Sequence, residues 1–426
     1  MKKKYAITEG IIFTGDAILK NHAIVINDNF IEKIVPQIEL DNDLEKLSVG
    51  GRMIVPGFVN AHHHFYSALA TGLSVAPAKN FLEVLENLWW KLDNTLTFDA
   101  VRLSAKWSVA QCVKNGVTTV FDHHASYGAI TGSLNIIKEE IESAGIRGVV
   151  CYEVSDRNGE EKTKTAINEN VDFQESENVK KLFGLHAAFT ISDKTFKNVN
   201  EHAWKNAGFH IHCAEDIIDQ KNANGKLIER LDNFSILNKN TLLVHGVHLA
   251  DYELKIIAEK KCALAHCPDS NLHNAVGNFN LLNAVALGVN VVAGTDGMYS
   301  NMLKAYKTAY ELSRSLAGSP SVGFNESFDL YNRTQGLQST FFVDCNQQKM
   351  SIENQTACRA DLAVLDYRPH TPIAIDNFWG HILYGAAESS VFGTIAGGKI
   401  LYWENKLLYI DEEELCNECR KVKIDF

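Results

Sequence analysis

His62 and His64 stand two residues apart at the end of an apolar run, in VPGFVNAHHHFY (55–66). On an extended strand, side chains at i and i+2 point to the same side, so two imidazoles here can share one metal ion while His63 points away. Taken alone, His-x-His is a short pattern, more often a hydrogen-bonded pair than a metal site. Other strand-like runs change that balance. They end in Asp122-His123-His124, in Glu153, in His186, in His210 and His212 with Glu215 three residues on, in His245, in His266, and in Thr295-Asp296. Independent core histidines would not sort to one end of successive strands.

His62, His64, His212 and Asp296 supply three imidazoles and a carboxylate. A hydrolytic zinc or iron(II) site takes three or four such N/O ligands and keeps one position for water, whose pKa falls from about 15.7 to about 7. The set suits either metal, and without thiolates it does not read as a closed structural zinc site. Glu215 lies on the loop leaving its strand and can exchange a proton with a substrate, provided that burial raises its pKa. Asp296 can touch both metal and water and take the water proton. His245 can polarise the atom under attack or stabilise charge developing there.

Eight apolar runs must place these groups: Met53–Asn60, Thr118–Phe121, Ile146–Tyr152, Lys181–His186, Gly208–His212, Thr241–His245, Cys262–His266 and Asn290–Gly294. Helix-length amphipathic segments separate them, the clearest being Asp99–Asn115, with Asp99 as N-cap and Gly116 just past the end. Eight such units predict an α/β protein, a (β/α)8 barrel with its chemistry at the C-terminal ends of the strands. The two chain ends read differently. Tyr5–Thr14, His22–Val35 and the short strands within 361–410 alternate apolar and polar residues between turn pairs such as Gly397–Gly398 and Glu404–Asn405. The expected domains are a small β-sandwich from 1–54 and 361–426, and a barrel over 55–360.

Composition narrows the classes. A net charge of −11 over 426 residues argues against a nucleic-acid partner. The nine cysteines are odd in number and scattered, so they read as reduced thiols of a cytoplasmic protein rather than a disulfide framework. Cys416-x-x-Cys419 has no second pair nearby and reads as incidental. The basic start, Met1–Lys4, leads into an interrupted apolar stretch unlike a signal peptide. No run approaches the ~18 apolar residues of a membrane span. A homodimer is the base-rate expectation.

The ordered set VPGFVNAHHHFY, HIHCAED, LLVHGVHL, LAHCPDSNL and GTDG resembles the metal-dependent amidohydrolase superfamily, within it the aminohydrolase and chlorohydrolase branch. LWWKLD (88–93), DHHAS (122–126) and EVSDRNG (153–159) are similar to the SsnA-type aminohydrolases. The resemblance implies one divalent ion, zinc or iron, on His62, His64, His212 and Asp296, with Glu215, His245 and Asp296 moving protons and polarising. It implies hydrolytic deamination of a purine-, pyrimidine- or triazine-like heterocycle. Cyclic amide or imide opening and chloride displacement are the alternatives, and a non-catalytic relative should have lost ligands. Two-metal members carry a lysine at the fourth strand end, where this chain has Leu185-His186-Ala187.

His186 and His266 are then expected near substrate, and Asn271 joins them from LAHCPDSNL. Arg157, beside Glu153, could grip a substrate carboxylate. Trp89 could stack on the ring, although core or dimer packing is the commoner role for Trp89 and Trp90. His210 is expected to be buried and hydrogen-bonded, His248 to pair locally, and one of His123 and His124 to face the pocket mouth. The loop HNAVGNFN, from His273, departs from the family pattern.

Overall fold

The computed structural model describes residues 4–342, 350 and 358–424, which leaves Cys345 outside. Parallel strands Phe58–His63, Val117–His124, Arg147–Tyr152, Val179–Lys181 with Phe183–Ala187, Phe209–Cys213, Leu242–His245, Ala263–His266 and Asn290–Ala293 form the (β/α)8 barrel. The fourth strand is in two pieces, the first paired with strand three and the second with strand five. Closure comes at the chemical end. The Thr295 and Asp296 amides donate to the His62 carbonyl (3.1 and 3.0 Å), and Asn60 Nδ2 donates to Thr295 Oγ1 at 2.6 Å. Asp296 is thereby fixed to the same strand end that carries His62 and His64.

Alternate strand residues serve two cores. Val59, Ala61, Phe121, Val149, Val244, Ala265 and Val292 belong to a buried cluster drawn almost wholly from the strands, which fills the barrel. Residues such as Val120, Val150, Ile211 and Leu264 pack outward with the helices. The pairing of strand one with strand two is irregular between Asn60 and His63, so the last turn of strand one is not simple pleat.

Helix Phe98–Lys114 starts two residues earlier than an N-cap at Asp99 would set it. Thr97, in extended backbone, accepts from the Ala100 amide (3.2 Å) and is the N-cap, leaving Asp99 in the first turn where the helix dipole favours it. Gly116, with φ +76°, ends it as read.

Run one also divides. Met53–Pro56 pairs antiparallel with Leu362–Leu365, outside the barrel, and only Phe58–His63 enters it. Strands from both chain ends build two outer sheets, of five strands (Cys358–Arg359, Phe30–Pro36, His22–Asn27, Lys4–Thr8, Glu45–Ser48) and of seven, which extend from Lys406–Leu407 to Ile18–Leu19. Tyr5, Ile7, Ile24, Ile26, Ile54, Leu362 and Ile395 pack between them. Tyr5–Thr14 is not one strand. Glu9 adopts φ +58° beside Gly10, which sends 4–8 and 11–13 to different sheets. Among the described residues, no helix is long and apolar enough to cross a membrane.

Candidate active site

The four metal-ligand candidates converge. His64 Nε2 lies 3.2 Å from His212 Nε2 and 3.1 Å from Asp296 Oδ1, and His62 Nε2 lies 3.6 Å from the same oxygen. All four are buried. What holds the rings decides their protonation. His64 Nδ1–H donates to the His123 carbonyl (2.6 Å) and His212 Nδ1–H to the His186 carbonyl (3.0 Å). A carbonyl only accepts, so in the neutral rings both Nε2 atoms carry lone pairs, and two lone pairs at 3.2 Å repel unless a proton or a metal cation sits between them. Tetrahedral metal–nitrogen bonds of about 2.0–2.1 Å would space such atoms by roughly 3.3 Å. His62 Nδ1 meets His210 Nε2 at 2.8 Å, and its Nε2 is buried with no protein hydrogen-bond partner. These residues fit one divalent metal ion.

The charges agree. Burial opposes an ionised Asp296, yet the His62 and His64 imidazoles keep its carboxyl well below the usual range. Burial also opposes a charged His64, but the hydrogen bond and charge of Asp296 override it and hold His64 up at about 9. The site asks for positive charge. Asp296 is further held by Ser270 Oγ on Oδ2 (2.6 Å) and its neighbour's amide, Gly297, on Oδ1 (2.7 Å).

Glu215 and His245 sit beside this centre. Burial, with the negative charge of Asp296, pushes the Glu215 carboxyl well above its ordinary pKa, which favours its protonated form. Asn274 Nδ2 donates to its Oε1 at 3.2 Å. Burial lowers the pKa of His245, which stays neutral. Its Nδ1–H donates to Asn271 Oδ1 (2.9 Å), which turns the Nε2 lone pair toward Glu215 Oε2 at 3.4 Å and Asp296 Oδ2 at 3.8 Å. Ala214 (φ +49°), His245 (φ +76°) and Asp296 (φ +55°) all take left-handed backbone at the ends of strands five, six and eight. Each costs about 1–2 kcal/mol for a non-glycine residue. Those bends turn the chain so that Glu215, His245 and Asp296 meet.

His186, Glu153, Arg157 and Trp89 line the chamber over this centre, as do Ser270 and Asn274. His266 and Asn271 do not. His266 is buried against Phe279 with ring centres 5.1 Å apart, and Asn271 stands behind His245. The helix beginning at Pro268 presents Ser270 and Asn274, one turn apart, to the chamber, and helical spacing from Pro268 was the signal for them. Arg157 does not offer an unpaired charge. It is bidentate to Asp93 (3.2 and 2.5 Å) and reaches Glu153 at 2.7 Å. Neither His123 nor His124 faces the mouth. Both are fully buried, bonded to the Leu185 carbonyl (3.0 Å) and Ser126 Oγ (2.9 Å). His248 bonds the Val276 carbonyl at 2.7 Å, and Cys416 and Cys419 are free thiols on helix Glu412–Cys419.

A barrel whose strand ends gather these imidazoles and carboxylates around one centre defines a metal-dependent hydrolase. Residues 53–331 match the amidohydrolase family model, and residues 4–54 match the NagA composite domain. The chain belongs to the amidohydrolase family. It is 29% identical to the 5-methylthioadenosine/S-adenosylhomocysteine deaminase of Thermococcus sibiricus, covering 93% of each chain. It is 27% identical to the 5'-deoxyadenosine deaminase of Methanobrevibacter smithii, covering 97% of this chain and 98% of the relative. The zinc-bound structure of an adenosine deaminase from Xanthomonas campestris aligns with TM-score 0.80 and 20% identity, covering 98% and 97%. The protein is a hydrolase of non-peptide carbon–nitrogen bonds with a divalent metal cofactor.

Proposed function

We propose that this protein hydrolytically deaminates an amino-substituted nitrogen heterocycle, with zinc or iron(II) held by His62, His64, His212 and Asp296. One observation carries the reading: Glu215 and Asp296 meet at His245 Nε2 (3.4 and 3.8 Å) beside the converging ligands, where burial pushes the Glu215 carboxyl up and the neighbouring imidazoles pull that of Asp296 down. Two carboxyls pushed apart in this way are assigned as acid and base. Relatives aligned over nearly the whole chain are named as deaminases of adenosine-type compounds, which supports it.

The bound metal ion would act as a Lewis acid and lower the pKa of water from about 15.7 to about 7. The residues do the rest. Asp296 takes a proton from the attacking water as oxygen bonds to the ring carbon bearing the amino group. Glu215 gives its proton to the adjacent ring nitrogen. His245, neutral and fixed by Asn271, accepts a hydrogen bond from the oxygen adding to that carbon. Asp296 then passes its proton to the amino group, the carbon–nitrogen bond breaks, and ammonia leaves. The hydroxyl proton returns to Glu215, leaving a ring carbonyl and a ring N–H.

Ammonia release from aminopurines, aminopyrimidines and aminotriazines by metal-loaded protein tests this, with Glu215→Gln as the inactive control. Ring opening that yields a carboxylate without ammonia would replace deamination by amide hydrolysis, and no turnover with metal fully loaded would sink the proposal.

A further inference from the structure

Strands three and four stand across the barrel from strands seven and eight, so Glu153 and His186 line the chamber on the side opposite Ser270, Asn274 and Asp296. The two are neighbours: the His186 amide donates to the carbonyl of Val154, next in the chain to Glu153, at 3.0 Å. Glu153 is buried, and one of its carboxylate oxygens lies within 4.8 Å of ring nitrogens of His123 and His212. This trio is no second metal site. His212 donates its Nδ1–H to the His186 carbonyl and turns its Nε2 to His64, so it has no lone pair left for another ion.

What this wall offers a substrate follows from its hydrogen bonds. Glu153 Oε1 accepts from Arg157 Nη2 at 2.7 Å, and Oε2 accepts from no group among the described residues. Arg157 has little to give in its place: Asp93 and Glu153 take three of its N–H groups, and its Nε is buried. Thr190 Oγ1 donates to the Ala187 carbonyl (2.8 Å), so it accepts from His186 Nδ1–H (2.9 Å) and leaves His186 Nε2 a lone pair. Burial lowers the pKa of His186 to about 4, which keeps this ring neutral. A carboxylate oxygen and an imidazole lone pair accept and cannot donate. They repel a substrate carboxylate or carbonyl and bind an N–H or O–H.

We propose that Glu153, with His186 beside it, is a specificity-determining acceptor pair that selects amino-heterocycles carrying a second hydrogen-bond donor. The donor is either an N–H of the ring or its substituents, or a hydroxyl of an attached sugar. The proposal rests on the deamination reading and narrows its substrate class. It also reverses the expectation for Arg157, because this side of the chamber takes a donor and not a carboxylate. A substrate without the donor leaves a buried oxygen unpaired, which a site rejects far more strongly than a missing methylene.

The test measures kcat/KM for ammonia release within four pairs that differ in such donors: 2,6-diaminopurine and adenine, melamine and 2-amino-1,3,5-triazine, cytosine and 1-methylcytosine, adenosine and 2',3'-dideoxyadenosine. In at least one pair the wild-type enzyme should favour the donor-bearing member by more than about tenfold, and by up to about ten-thousandfold. A preference in the adenosine pair alone places the donor on a sugar, and a preference in the others places it on the ring. Glu153→Gln should cut that ratio about tenfold or more with zinc content unchanged, because Arg157 holds the amide oxygen and the NH2 group then meets the substrate donor. Wild-type ratios below about tenfold in all four pairs overturn the proposal and leave deamination intact, whether or not the variant folds. So does a folded Glu153→Gln that slows both members of a pair equally, or one that loses its zinc. Ammonia from none of the eight compounds overturns the deamination reading itself, and the proposal with it.

Discussion

His210 touches no metal and lines no chamber, yet replacing it should cost the protein its metal. His62 must carry its proton on Nδ1 if Nε2 is to bind a cation, and that proton then points at His210 Nε2, 2.8 Å away. His210 is wholly buried, and burial holds its pKa well below the ordinary value, so it is neutral and can accept. In His210→Leu the side-chain volume is largely kept and the acceptor is gone. The metal-bound state would then bury an unsatisfied N–H, at about 1–3 kcal/mol. The metal-free state escapes this, because His62 can shift its proton to Nε2 and turn it toward Asp296 Oδ1, 3.6 Å away. The penalty therefore falls on the bound state alone and lowers metal affinity by roughly five- to a hundredfold.

Zinc competition against a chromophoric chelator measures that loss, with circular dichroism confirming that the metal-free variant is folded. His210→Gln, which restores an amide oxygen, should recover part of it. A folded His210→Leu that binds zinc within about twofold of wild type would refute the tautomer argument, since the buried N–H penalty is larger than that.

Three further outcomes are expected. Gly294→Ala should lower both thermal stability and metal content, because a Cβ there would sit 2.8 Å from His62 Cβ and 2.9 Å from its amide nitrogen. Overpacking of this kind costs about 1–3 kcal/mol, and a variant with wild-type melting temperature and zinc content would contradict the placement. Glu215 acts as a proton donor with a raised pKa, so kcat/KM should hold through the range where an ordinary carboxyl has already ionised and fall as pH rises through the higher value. An alkaline limb unchanged in residual Glu215→Gln activity would assign it to another group. Asn271→Ala should reduce kcat about tenfold or more by freeing the His245 ring, at about 1–3 kcal/mol for the lost acceptor, while zinc content stays at wild-type level.

What was legible in the sequence, and what was not, divides along a physical line. His62, His64, His212 and Asp296 could be read because strand periodicity and strand order are local properties of the chain, and the barrel brings one end of every strand to the same place. The partners that fix those side chains are not local. His62 reaches His210 across 148 residues, and Arg157 reaches Asp93 across 64. No spacing rule connects such pairs, so Arg157 read as an unpaired charge and Asp93 did not stand out. The left-handed backbone at Ala214, His245 and Asp296 is hidden for another reason: none of these is glycine, the residue type that usually announces such a bend. The strain is held by barrel closure at His62 and by bonds from Gly297 and Asn271. Metal binding can therefore be expected to depend on residues that never touch the ion, and sequence patterns that report only the ligands miss the groups that set their protonation.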